Sequence, residues 1–147
     1  MPIDANRVAP KLWIGSFPPP GNILCKSGVD TLVLCAMELQ PDSSAYPGIR
    51  VIHAPLDDFR MDDRTNRIAN NVAKQVAHEV LNRRRVLVTC AQGRNRSGLV
   101  VALALRNLTG ASGRRCREAV QMARENALTN SSFAAYLDSL PARVDYR

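Results

Sequence analysis

The 147 residues are 46% hydrophobic and 22% charged, the composition of one globular unit over residues 1–147 that buries a core without disulfide staples. No apolar run reaches membrane-spanning length, and the opening Met-Pro-Ile-Asp-Ala-Asn-Arg has no apolar h-region, so neither a membrane span nor a secretory leader is expected. Cys25, Cys35, Cys90 and Cys116 show neither Cys-x-x-Cys nor paired His spacing, so no metal is expected, and free thiols fit a reduced cytoplasm.

The charge of +7, with a pI near 9.8, favours an anionic partner: phosphorylated protein, a phosphoinositide surface or nucleic acid. The bland alternative is that Arg83-Arg84-Arg85 and Arg114-Arg115 are solvated helix faces, since no aromatic residues alternate with them as a base-stacking platform requires.

In chain order, Lys11 to Ser16 reads as a first short strand, broken by Phe17-Pro-Pro-Pro-Gly21. A short helix follows around Asn22 to Lys26, stopped by Gly28. Thr31 to Ala36 is continuously apolar or β-branched, the pattern of an interior strand buried on both faces. After a loop from Gln40 to Gly48, Arg50 to Pro55 reads as a third strand ended by its proline. Ile68, Val72, Val76 and Val80 recur every four residues and predict a helix over Thr65 to Arg84, with Asp62 and Asp63 as its cap and dipole partners. Arg85 to Ala91 is a fourth, most buried strand. Ser97 to Leu108 is a helix apolar on nearly every side, with Gly110 as its stop. Ser112 caps a helix to about Asn126, and Ser131 to Leu140 forms the last one. The alternation gives an α/β class: a central, mostly parallel sheet of four to five strands flanked by helices.

The chemistry concentrates where the fourth strand turns into the interior helix, in Thr89-Cys90-Ala91-Gln92-Gly93-Arg94-Asn95-Arg96-Ser97. Strand, tight loop and helix start point successive backbone N–H groups at one anion. Cys90 at that mouth is the expected thiolate nucleophile. The amides from Ala91 to Arg96 would bind phosphoryl oxygens, Arg96 would grip two of them bidentately, and Ser97 could hydrogen-bond the sulfur as it leaves. A nucleotide-binding loop is excluded, because Leu99 and Val100 stand where it needs Lys and Ser or Thr. An inert, buried strand-end cysteine is the bland alternative.

Cys and Arg with five residues between them, then Ser, behind an apolar strand, resemble the signature of the cysteine-dependent protein tyrosine phosphatase superfamily. Leu12-Trp-Ile-Gly-Ser16, Gly28-Val-Asp-Thr-Leu-Val-Leu34 and Val51-Ile-His-Ala-Pro-Leu-Asp-Asp58 are similar to its small dual-specificity branch, over about residues 8 to 140. The resemblance implies a general acid in a Pro-x-x-Asp loop. Pro55-Leu-Asp57-Asp58 matches and puts Asp58 in that place, with Asp57 as the neighbour that chemistry alone leaves open. It also implies that Asn130, in Asn130-Ser-Ser-Phe133, braces the phosphate loop with its side chain, the alternative being a helix cap. No cofactor or metal is implied, and the expected substrate is a phosphorylated protein.

Four positions depart from the pattern or add to it. Thr89 replaces the usual His before the nucleophile and offers the sulfur one hydroxyl donor but no charge, while His53 and His78 read as structural or surface residues. Asn95 resembles the Gly-x-Asn-Arg-Thr of RNA 5′-triphosphatases, with Ser97 in place of Thr, and Arg94 is a second cation on the loop or an exposed side chain. With the charge, these keep an RNA 5′-phosphate or a phosphoinositide open as substrate, and Thr89 keeps open a phospho-ligand binding module without turnover. Cys35, in Leu34-Cys-Ala-Met-Glu38, resembles the cysteine that forms a protective disulfide with the nucleophile in phosphatase-and-tensin-type lipid phosphatases. A packing thiol is the alternative.

Overall fold

The computed structural model describes residues 3–143. Its sheet has five strands: β1 (Ala5–Ala9), β2 (Leu12–Ser16), β3 (Thr31–Ala36), β4 (Arg50–Leu56) and β5 (Val86–Cys90), in the spatial order β1-β2-β5-β3-β4. β2, β5, β3 and β4 run parallel, and β1 lies antiparallel on the β2 edge. The helices are α1 (Ile23–Lys26), α2 (Asp63–Leu81), α3 (Arg96–Thr109), α4 (Gly113–Ala123) and α5 (Ser131–Asp138).

Two strands differ from the sequence expectation. β1 was unforeseen: it is a partly exposed edge strand, Ala-Asn-Arg-Val-Ala, without an apolar alternation, and among the described residues it pairs with β2 alone. A Pro10-Lys11 turn joins the two, with Lys11 at φ 69, the geometry of a turn with proline at its first corner. β4 does not stop at its proline but runs on to Leu56. It is the other edge strand, where a residue without an N–H is tolerated, and the register against β3 shifts between His53 and Leu56.

β3 and β5 are buried at every residue, as continuous apolar strands inside a parallel sheet should be. α3 is buried at every position from Arg96 to Leu105, and Gly110 closes it at φ 75. The larger core joins one sheet face to α2, α3, α4 and α5 through Val33, Val88, Leu99, Val101, Val120 and Phe133. A smaller core on the opposite face holds Leu24, Leu32, Leu34, Tyr46, Ile49 and Leu87. Because β5 lies between β2 and β3, the chain leaves the sheet in opposite directions around it. The carboxyl end of β5 is therefore where such a sheet opens a crevice.

Candidate active site

Cys90 is the last residue of β5 and Arg96 the first of α3, so residues 91–95 turn the chain at the crevice. Three carbonyls of this loop are pulled outward. Ala91 O accepts from Phe17 N at 3.3 Å, Arg94 O from Leu128 N at 3.0 Å, and Gln92 O from Arg124 Nη2 at 2.8 Å. Arg124 is itself 8% exposed and fixed by Asp4 (Nη2 to Oδ2, 2.8 Å) and Asn6 (Nη1 to Oδ1, 2.9 Å). Its guanidinium holds the Asp4 carboxyl below the usual carboxylate range. Gly93 sits at φ 71, and a Cβ there would run into the Gly15 carbonyl of β2, so this corner needs glycine. With the carbonyls tethered outside, the backbone N–H groups of residues 91–95 meet no acceptor among the described residues, the arrangement of an anion nest.

Inside the loop, Cys90 Sγ lies 3.1 Å from Ser97 Oγ, and both are buried. Arg96, 7% exposed, is gripped by Glu38: Nη1 donates to Oε1 at 2.6 Å and Nη2 to Oε2 at 2.9 Å, while Nη1 also reaches Leu56 O at 3.2 Å. The grip holds the Glu38 carboxyl down to about 2. Arg96 Nε is buried and has no acceptor among the described residues. The outer edge of the guanidinium is thus taken by protein, and the edge bearing Nε remains for a ligand.

The carboxylate side of the crevice follows β4. Asp58 Oδ2 accepts from Asn95 Nδ2 at 3.1 Å and Oδ1 from Asn130 Nδ2 at 2.8 Å. Asp58, Cys90, Ala91, Gln92, Arg94, Asn95, Arg96 and Thr129 line one recess of about 290 Å³; Asp57 is not among them. The structure thus brings together Asp58, Cys90, Arg96 and the loop, with Ser97 behind the sulfur. Asn130 departs from the expected bracing of the phosphate loop and meets the capping alternative. Its side chain braces the acid loop, giving to Asp58 and to Phe59 O (3.0 Å), and caps α5 by accepting from Phe133 N (3.1 Å). Only its backbone N–H reaches the phosphate loop, at Asn95 Oδ1 (2.9 Å). Thr89 also differs: its hydroxyl donates to Val33 O at 2.9 Å across the β3–β5 pair and is not offered to the sulfur. His53 Nε2 meets Pro41 O at 2.9 Å and His78 Nε2 meets Asn82 Nδ2 at 3.2 Å, both away from the recess. Cys35 lies one residue past the Leu34–Thr89 rung, buried, and burial pushes its thiol well up. Glu38, Arg124, Asp4 and Asn6 were not foreseen. An acid two residues past the end of an interior strand was the available signal for Glu38; Arg124 offered none.

The same architecture is found in solved structures. A mouse protein described as a dual specificity phosphatase, complexed with zinc tungstate, superposes with a TM-score of 0.75 at 27% identity, over 93% of this chain and 86% of that one. A variant of human DUSP28 gives 0.78 at 28%, covering 92% of both chains. This chain has the fold of the small dual-specificity phosphatases. The active form of Tk-PTP shares its fold, with a TM-score of 0.80 at 21% identity over 98% of this chain and 100% of that one. No family model and no curated protein sequence matches the chain. These likenesses support a phosphatase function. No helix among the described residues is long and apolar enough to cross a membrane.

Proposed function

We propose that the protein hydrolyses phosphomonoesters through a phosphocysteine. The carrying observation is that Cys90, Asp58 and Arg96, whose buried Nε has no partner among the described residues, line one recess. In the first step the Cys90 thiolate attacks phosphorus and the ester oxygen leaves with a proton from Asp58. Arg96 Nε and the loop amides carry the charge spread over the equatorial oxygens. In the second step water attacks the phosphocysteine, Asp58 takes its proton, and phosphate departs as the sulfur regains its hydrogen bond from Ser97.

The substrate class that fits best is protein carrying phosphotyrosine, phosphoserine or phosphothreonine, as the names of the mouse and human likenesses suggest. A polyanionic substrate, RNA 5′-phosphate or phosphoinositide, is the second reading. It is favoured by Arg94, an exposed cation lining both this recess and a polar one beside it with Asp4, Arg124 and Glu125. A phospho-ligand binder without turnover is favoured only by the Thr89 hydroxyl being engaged elsewhere. With peroxide as the oxidant, Cys35 would serve as the partner of a reversible disulfide with Cys90, water leaving from the oxidised sulfur, since adjacent strands about 4.8 Å apart bring two cysteines within bridging range. A reducing, cytoplasmic setting suits the thiolate.

A panel of phosphopeptides, triphosphate-ended RNA and inositol lipids, each run beside Cys90→Ser, tests the reading. The expected result is fastest turnover of phosphopeptides, lost in Cys90→Ser. Preference for RNA or lipid would reassign the substrate, and equal rates in the variant would overturn the mechanism.

A further inference from the structure

Asn95 occupies the N-cap position of α3, where an asparagine ordinarily turns its side chain onto the first-turn backbone N–H groups. Here it makes no such bond. Its carboxamide is divided between two other elements. Nδ2 donates to Asp58 Oδ2 at 3.1 Å, and Oδ1 accepts from Asn130 N at 2.9 Å and Thr129 Oγ1 at 3.4 Å. Asn130 Nδ2 donates to the other Asp58 oxygen at 2.8 Å, which closes a ring of three residues through the Asn130 backbone N–H. Met61 N, held by Ser132 Oγ at 2.9 Å, fastens the far end of the acid loop to α5.

From this geometry we infer that Asn95 is a positioning residue for the general acid: it fixes the Asp58 carboxyl to the loop that carries the nucleophile. The inference rests on the acid role proposed for Asp58. Asn130 fixes the acid to α5, whereas Asn95 lies five residues from Cys90 and sets the acid against the sulfur itself. Asp58 is aimed over the recess by groups of the protein alone.

The test compares turnover of two aryl phosphates, one with a poor leaving group (phenol) and one with a good one (dinitrophenol), because only the poor one needs a proton. The readout is the ratio of the two rates, which a common loss of phosphate binding does not change. Asp58→Asn should depress the phenyl-to-dinitrophenyl ratio about a hundredfold, and Asn95→Ala about tenfold. The double variant should have the ratio of Asp58→Asn alone, as expected for two residues acting through one contact. Asn95→Asp, which keeps the acceptor for Asn130 N but cannot donate to Asp58, should lower the ratio as Asn95→Ala does and serves if the alanine variant does not fold. An unchanged ratio in the Asn95 variants, or a ratio lowered further in the double variant, would overturn the positioning role while leaving the acid in place. An unchanged ratio in Asp58→Asn would instead overturn the acid reading, and this inference with it.

Discussion

The two ends of the sheet each carry a Glu–Arg pair, and the pairs are built in opposite senses. At the amino ends of the strands the buried partner is the acid. Glu79, 2% exposed, accepts from Thr31 Oγ1 at 2.6 Å and Arg84 Nη1 at 2.9 Å, with Arg50 Nε at 3.8 Å, and both arginines reach out to solvent. At the carboxyl ends the buried partner is the base: the Arg96 side chain is 9% exposed, and its partner Glu38 is 55% exposed. Glu79 ties α2 to β3 and the start of β5 and has donors on both oxygens. Arg96 is held on one edge and left unmatched on the other. Burying a polar group without a partner costs about 1–3 kcal/mol. A closed network holds a fold together, and one left open where the fold gathers spare N–H groups is where a ligand belongs.

Substitutions can separate the two ends. The largest effect is expected from Cys90→Ser: kcat for an aryl phosphate falls about a thousandfold or more, as for loss of a nucleophile, with unfolding by heat unmoved. Arg96→Lys removes the planar fork but keeps the charge, and should lower kcat about a hundredfold. At the opposite end, Glu79→Ala leaves Arg84 and Thr31 without their acceptor. It should cost about 1–3 kcal/mol of stability, read as a lower melting temperature, while kcat per folded molecule stays as it was. A loss of kcat there would mean that the two ends are coupled.

The smallest effect is expected from Glu38→Gln, about tenfold in kcat/KM with little change in stability, because the carboxylate is exposed and an exposed pair contributes little. The sign of its pH dependence follows from the depressed carboxyl. Arg96 holds Glu38 at about 2 in the fold against an ordinary value of 4.5. The pair's contribution is therefore complete above the ordinary value and is lost only as the pH falls towards 2. The gap between wild type and Glu38→Gln should persist at about pH 4, where an unpaired glutamate is more than half protonated.

What the sequence made legible follows the range of the interactions involved. β5, its loop and α3 are contiguous, so the apolar runs, the glycine and the Cys–Arg spacing place them without reference to the rest of the chain. The caps at Asp62, Ser112 and Asn130 are equally local, each bonding a backbone N–H three residues on. β1 escaped because an edge strand with a mostly polar face carries no periodic signal. Glu38 and Asp4 escaped for a different reason. They meet Arg96 and Arg124 across 58 and 120 residues of sequence, and which of many arginines an acid meets is decided by tertiary packing. Asn130 shows both cases in one side chain. Its oxygen makes the local cap, and its nitrogen reaches Asp58, 72 residues away, where no spacing rule could place it.

The central claim, that the open end of the sheet works by covalent transfer to Cys90, is tested most directly by trapping. Asp58→Asn, which lacks the base for the second step, is mixed with an aryl phosphate that has a good leaving group and a radiolabelled phosphoryl, then quenched in acid. The account predicts label on the peptide containing Cys90 and none in Cys90→Ser carrying the same Asp58→Asn change. Turnover by the wild type with no label trapped in Asp58→Asn, and with Cys90→Ser as fast as the wild type, would contradict it.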